Sequence, residues 1–224
     1  MTQLYIHWNP DPELFSIGGF SVRYYGLLWV IGIALGYLVM RQQYRDKQLG
    51  DDKFEPLFFY CFLGILIGAR LGHCIFYDWA YYKAHPWEIL ATWKGGLASH
   101  GGAVGVLIAM WWYVHKYGKK YGFGYIQILD RLVIPICFAG MFIRFGNLFN
   151  SEIYGHATDL PWGFIFVRDG QTIAKHPTQL YEAFSYLLLG LGLLWLYRHK
   201  LDKLKNALKK IKTNRYYRRM SQKF

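Results

Sequence analysis

The sequence predicts an all-α, polytopic membrane protein: about five transmembrane helices, a small extracytoplasmic cap and a basic cytoplasmic tail. Three observations carry this expectation. Of 224 residues, 54% are hydrophobic and 20% aromatic, while 18% are charged, where an ordinary soluble domain carries roughly a quarter. The apolar residues gather in runs long enough to cross a bilayer, which takes about 20 residues as a helix. Lysine and arginine collect on one side of those runs. No ten-residue alternating pattern of a membrane barrel is present, and helices are the only open-chain way to satisfy the backbone in lipid.

Taken in order, the spans are residues 24–40 (YYGLLWVIGIALGYLVM), 56–77 (PLFFYCFLGILIGARLGHCIFY), 97–115 (LASHGGAVGVLIAMWWYVH), 125–149 and 178–197 (TQLYEAFSYLLLGLGLLWLY). Residues 1–197 read as a single transmembrane domain and 198–224 as the tail. The start, MTQLYIHWNPDPELFSIGGF, has no basic stretch followed by an apolar one, so no cleavable signal peptide is expected. It reads as a short interfacial segment rich in aromatics and turn formers. The polar stretch 150–177, with Gly155, Pro161, Gly163 and Gly170, reads as the cap. Cys61, Cys74 and Cys137 all lie in apolar runs and suggest neither a disulfide framework nor a metal site.

The net charge of +12 would by itself suit a nucleic-acid binder. Its distribution points instead to a membrane. Eighteen of the 26 basic residues follow the first, third and fifth spans, eleven of them between Arg198 and Lys223; five lie on the other side. The positive-inside rule then puts the N-terminus outside and the tail in the cytoplasm, and no nucleic-acid partner is expected. In the tail, Leu201, Leu204, Leu208 and Ile211 recur at helical spacing among lysines, which suits either a helix on an anionic inner leaflet or a solvated basic tail.

Orientation turns each polar residue into a depth. Tyr24 and Tyr25 open the first span, Arg70 and His73 end the second, and His100 begins the third. Arg144, Asn147 and Asn150 end the fourth, and Glu182 lies one turn into the fifth. All belong to one layer about 10 Å thick near the outer surface; Asp130 and Arg131 fall toward the inner side. A transporter would carry such groups near the midplane. A layer at headgroup depth suits chemistry on a lipid headgroup, and Arg70 and Arg144 make phosphate the natural ligand. Salt bridges to Glu152 or Glu182, or snorkelling to headgroups, would also account for an arginine here. His100 can accept a proton near neutral pH. Gly101, Gly102 and Gly105 beside it allow close approach of a substrate, or serve helix packing. No protein nucleophile is evident, so the substrate is expected to bring the attacking group.

RFGNLFNSEIYG, residues 144–155, closely resembles the signature of the prolipoprotein diacylglyceryl transferase family: Arg144, Gly146, Asn147, Asn150, Glu152 and Gly155. YYGLLWVIG with Tyr25, GARLGHCIFY with Arg70, GGLASHGGAVGV with His100 and HPTQLYEA with Glu182 are similar to further family segments, in order. The resemblance implies transfer of a diacylglyceryl group from phosphatidylglycerol to the lipobox cysteine of a prolipoprotein signal peptide in the bacterial inner membrane, with glycerol 1-phosphate released and no metal or cofactor. His100, Arg144 and Tyr25 would be catalytic. Arg70, Gly101, Gly102, Asn147, Asn150, Glu152, Gly155 and Glu182 would bind substrate. The family usually continues for two more spans that bring another arginine and a glutamate. Here only the basic tail follows Tyr197, so the resemblance implies a chain without them. The alternative is a non-catalytic membrane protein that keeps a pocket for anionic phospholipid or signal peptide.

The charge asymmetry gives a topology test. Alkaline phosphatase fused after residue 160 is expected to be active, and fused after residue 224 inactive; the reverse pattern would invert the topology.

Overall fold

A computed structural model describes residues 5–18, 20–46, 49–92 and 95–221. The strands are β1 (Ile6–Trp8), β2 (Glu13–Ile17), β3 (Phe20–Arg23) and β4 (Phe164–Phe166). The helices are α1 (Tyr24–Asp46), α2 (Asp51–Phe76), α3 (Trp79–Ala84), α4 (Ser99–Tyr121), α5 (Tyr125–Phe149) and α6 (Thr178–Ser221), with short 3-10 turns at Pro86–Leu90 and Val167–Asp169. The protein is thus a polytopic helical membrane protein, as the composition predicts. Among the described residues, four helices are long and apolar enough to cross a membrane: α1, α2, α5 and the Thr178–Leu204 part of α6. The expected third span does form a helix, α4, of 23 residues. Its glycines, histidines and lysines dilute the apolar run, so four helices rather than five qualify by length and composition.

The chain divides into two compact units, residues 37–133 and residues 1–36 with 134–224. In the first, α2 and α4 meet along facing glycines. A Cβ on Gly64 would lie 2.7 Å from the Gly105 carbonyl oxygen, one on Gly68 2.8 Å from Gly105 Cα, and one on Gly72 2.7 Å from Gly101 Cα. The backbones therefore touch, which in lipid supplies the close van der Waals packing that a hydrophobic drive cannot. Gly101 and Gly105 thus serve packing; Gly102 is also buried, against Ala69 and Ile65. At the other end of this unit, Met40, Tyr44, Phe54, Leu57, Met110, Tyr113, Phe123 and Ile128 form an aromatic-rich core. Beside it Asp51 binds Arg41 at 2.5 Å and Arg45 at 3.2 Å, and the Arg131 guanidinium lies 5.2 Å from the Tyr44 ring centroid.

In the second unit, small residues again set helix approach: Gly32 of α1 lies against Ala139 of α5, and Gly190 of α6 against Cys137 and Phe138. The N-terminal segment and the cap carry short strands that the sequence did not predict. β1 pairs in parallel with β4, His7 opposite Ile165, and β2 with β3 forms a hairpin. Lys175 exchanges both backbone hydrogen bonds with Phe164. Leu148, Phe164 and Phe166 are the cap's core, with Trp8, Tyr154 and Leu180 packed against them. Tyr154 stacks on Phe166 and donates to the Asp169 carboxylate, a bond that raises the Tyr154 pKa above its ordinary value. The expected tail continues α6 without a break to Ser221. Leu201 is buried and Leu204 exposed; Leu208 and Ile211 lie outside the residues whose side chains are described.

Gly68→Val is expected to lower the thermal midpoint of the detergent-solubilised protein, because the clash is with backbone; overpacking typically costs about 1–3 kcal/mol. Gly192→Ala, where a Cβ meets nothing within 4 Å, should leave the midpoint unchanged.

Candidate active site

Five of the predicted residues are joined by hydrogen bonds where α5 ends. Arg144 and Asn147 lie on its last turns and Asn150 just past its end, and the chain then reverses at Ser151–Ile153. That reversal is forced: Ser151 and Ile153 have φ of 57° and 58°. A β-branched residue in the left-handed region is a genuine outlier, with strain of about 1–3 kcal/mol. Between them sits Glu152, pinned on three sides. Its Oε1 accepts from Asn147 Nδ2 at 2.8 Å and Asn150 Nδ2 at 3.2 Å. Its N–H donates to the Asn147 carbonyl at 3.1 Å. Its own carbonyl accepts from Gln179 Nε2 at 2.7 Å.

Asn147 is the adapter. Its Oδ1 accepts from Arg144 Nη1 at 3.3 Å while its amide nitrogen serves Glu152. Arg144 is further held by Glu182 on the second turn of α6, Nε to Oε2 at 2.6 Å, with side chains 24% and 40% exposed. Its Nη2 has no hydrogen-bond partner among the described residues. Of the two acids that a salt bridge could use, Glu182 is therefore the partner, and Glu152 acts at one remove. The Tyr25 ring packs where a Cβ on Gly146 would sit, 2.7 Å from its Cδ2, and Tyr24 stacks on Phe149 at 4.4 Å. Gly155 lies close to the start of α6: a Cβ there would be 2.7 Å from Thr178 Cγ2, and its N–H donates to the His176 carbonyl. The arrangement presents a guanidinium, two amides and two carboxylates at one helix end, a set suited to a phosphate with adjacent hydroxyls.

Arg70 and His100 belong to the other unit. Arg70 is 3% exposed, and its guanidinium acts as a clamp with four hydrogen bonds. It donates to the carbonyls of Glu88 (2.6 Å), Ile89 (2.9 Å), Gly95 (2.5 Å) and Gly96 (3.1 Å), and lies over the Tyr82 ring. Two consecutive glycines at positive φ, 86° and 71°, turn both carbonyls toward it, and a Cβ on Gly96 would strike the His73 ring. This geometry supports a structural role and offers little to a phosphate. His100 is exposed on the first turn of α4, its ring 5.6 Å from Phe76 and 5.8 Å from Tyr77. His73 stacks on Tyr77 and lies 3.6 Å from Asp78. Among the described residues no group of three His, Cys, Asp or Glu side chains could hold a metal ion.

A family model described as prolipoprotein diacylglyceryl transferase matches residues 12–217. The chain belongs to the prolipoprotein diacylglyceryl transferase family. Among its relatives, the phosphatidylglycerol–prolipoprotein diacylglyceryl transferase of Bacteroides fragilis is 49% identical over 214 residues, covering 90% of this chain and 75% of that one. Its namesakes in Tolumonas auensis and Porphyromonas gingivalis are each 44% identical, over 193 and 202 residues, covering 73% and 70% of their own lengths and 86% of this chain. In this member of the diacylglyceryl transferase family, the sequence reading missed the part played by Gln179. That residue is wholly buried, yet it reaches the Glu152 carbonyl. The available signal was its place three residues before Glu182, on the same face of α6. It gave no part to Tyr181, whose hydroxyl accepts from Trp162 Nε1 at 3.0 Å and lies 3.2 Å from His176 Nδ1.

Arg70→Lys is expected to loosen the 78–98 segment, since one ammonium cannot serve four carbonyls. With charged hydrogen bonds worth about 1.5–3 kcal/mol, amide exchange there should rise on the order of tenfold to a hundredfold. Unchanged exchange would contradict the clamp.

Proposed function

We infer that the protein transfers the diacylglyceryl group of phosphatidylglycerol to the lipobox cysteine thiol of prolipoproteins, in the bacterial inner membrane, with the N-terminus outside. The observation that carries the reading is the Arg144–Asn147–Glu152 network, in a chain of this family. The cysteine sulfur attacks the glyceryl carbon that bears the phosphate. The C–O bond to phosphate breaks, a C–S thioether forms, and glycerol 1-phosphate departs with the electron pair.

Each residue has a part in that step. Arg144 binds the phosphate and neutralises the charge that grows on it as the bond breaks. Asn147 and Glu152 fix the guanidinium from behind, and Asn150 shares Glu152 and is placed to meet headgroup hydroxyls. Tyr25 adds a hydrogen bond to the headgroup, and Gly155 keeps the turn close to α6. Gly101 and Gly102, packed against α2, fix the α4 backbone that carries His100, and His100 takes the thiol proton. The roles of His100 and Tyr25 rest on their chemistry and their signature segments.

Arg144→Ala is expected to lower transfer about 10²–10³-fold, and His100→Gln about 10²–10⁴-fold, with membrane insertion unchanged. The assay follows labelled glycerol from lipid into a prolipoprotein in cells depleted of their own transferase. Wild-type chain that inserts well and transfers nothing would refute the function; variants that keep most activity would refute the site.

A further inference from the structure

The two carboxylates of the site are held very differently. Glu152 accepts two amide hydrogen bonds on one oxygen and is fixed at both backbone atoms by Asn147 and Gln179. Glu182 is held, among the described residues, by Arg144 alone. Asn147, on the buried side of the arginine, is 4% exposed, while the Glu182 side chain is 40% exposed. An anion arriving from the lipid headgroup layer therefore meets the guanidinium on the Glu182 side. It finds there a carboxylate seated at 2.6 Å, where one of its own oxygens would sit.

We propose that Glu182 is an internal stand-in for the substrate phosphate: it occupies the anion seat of Arg144 in the empty protein, gives it up to the lipid phosphate, and returns to expel the phosphate of the product. The proposal rests on the diacylglyceryl-transfer reading. It explains why a site built to grip phosphate carries a carboxylate at all. An arginine at the edge of an apolar layer needs a counter-charge while the site is empty. A phosphomonoester product bears more charge than the phosphodiester substrate, so without a competitor the product would hold the guanidinium longer than the substrate does. Glu182 determines how tightly each anion is held, whereas Glu152 positions the arginine throughout the cycle.

The test uses the full-length chain in detergent. Glycerol 1-phosphate is titrated by calorimetry, and the KM for phosphatidylglycerol is measured separately. Glu182→Gln removes the competing charge and keeps the shape. An exposed ion pair of this kind is worth a few-fold in affinity, so glycerol 1-phosphate should bind about three- to fivefold tighter, and the KM should fall by the same factor with no gain in kcat. Glu182→Asp, whose carboxylate is drawn back by one methylene, should fall between the two. If Glu182 were instead a direct substrate ligand or a structural anchor of Arg144, both variants would bind more weakly and the KM would rise; that result, or unchanged affinity, overturns the proposal. Should Glu182→Gln fail to fold, the aspartate variant decides by the same criterion. Tighter binding without any lipid transfer by the wild-type chain would support the stand-in and refute the transferase reading.

Discussion

A guanidinium at the border of an apolar layer must be paired, and the way Arg144 is paired organises everything around it. Asn147 takes one of its N–H groups and passes the connection to Glu152; Glu182 takes another directly. Each link has a direction. The Asn147 amide oxygen must face the arginine because its nitrogen faces a carboxylate. Glu152 can reach both asparagines only because the chain turns through two residues at positive φ. Strain at Ser151 and Ile153 is thus tied to the placement of one acid, which is the usual setting in which strained backbone persists.

The other unit solves a different problem. α2 and α4 approach until glycine meets backbone, and at the end of α2 the buried Arg70 gathers four carbonyls from the segment leading to α4. Its charge is spread over carbonyl dipoles and an aromatic face, with no carboxylate among its hydrogen-bond partners in the described residues. The two arginines that the sequence puts in the same class are therefore paired differently: one is spent on loop carbonyls, and the other on Asn147 and Glu182.

Much of this was legible in the sequence. Span length, aromatic content and lysine placement announce a helical membrane protein, because the bilayer imposes length and composition directly. The Arg144–Gly155 block is visible because polar residues interrupt an apolar run. What stayed hidden is partner choice. Arg70 and Arg144 look alike in one dimension; only coordinates show Gly95 and Gly96 turning their carbonyls to the first and Glu182 taking the second. Gln179 was invisible as a partner because its hydrogen bond spans 27 residues. The strands of the cap were missed because they are three to five residues long and pair β1 with β4 from opposite ends of the sequence, too short and too distant for periodicity to register. The third expected span forms a helix of the right length, α4, whose glycines and histidines keep its hydropathy below that of the other long helices.

Arg144 is proposed as the phosphate seat. The most direct measurement is a structure of the chain in a lipid nanodisc containing phosphatidylglycerol. Phosphate oxygens are expected at hydrogen-bond distance from the Arg144 guanidinium, about 2.7–2.9 Å, with Glu152 still bound to Asn147 and Asn150. A headgroup phosphate seated elsewhere, with Arg144 still closed on Glu182, would contradict it.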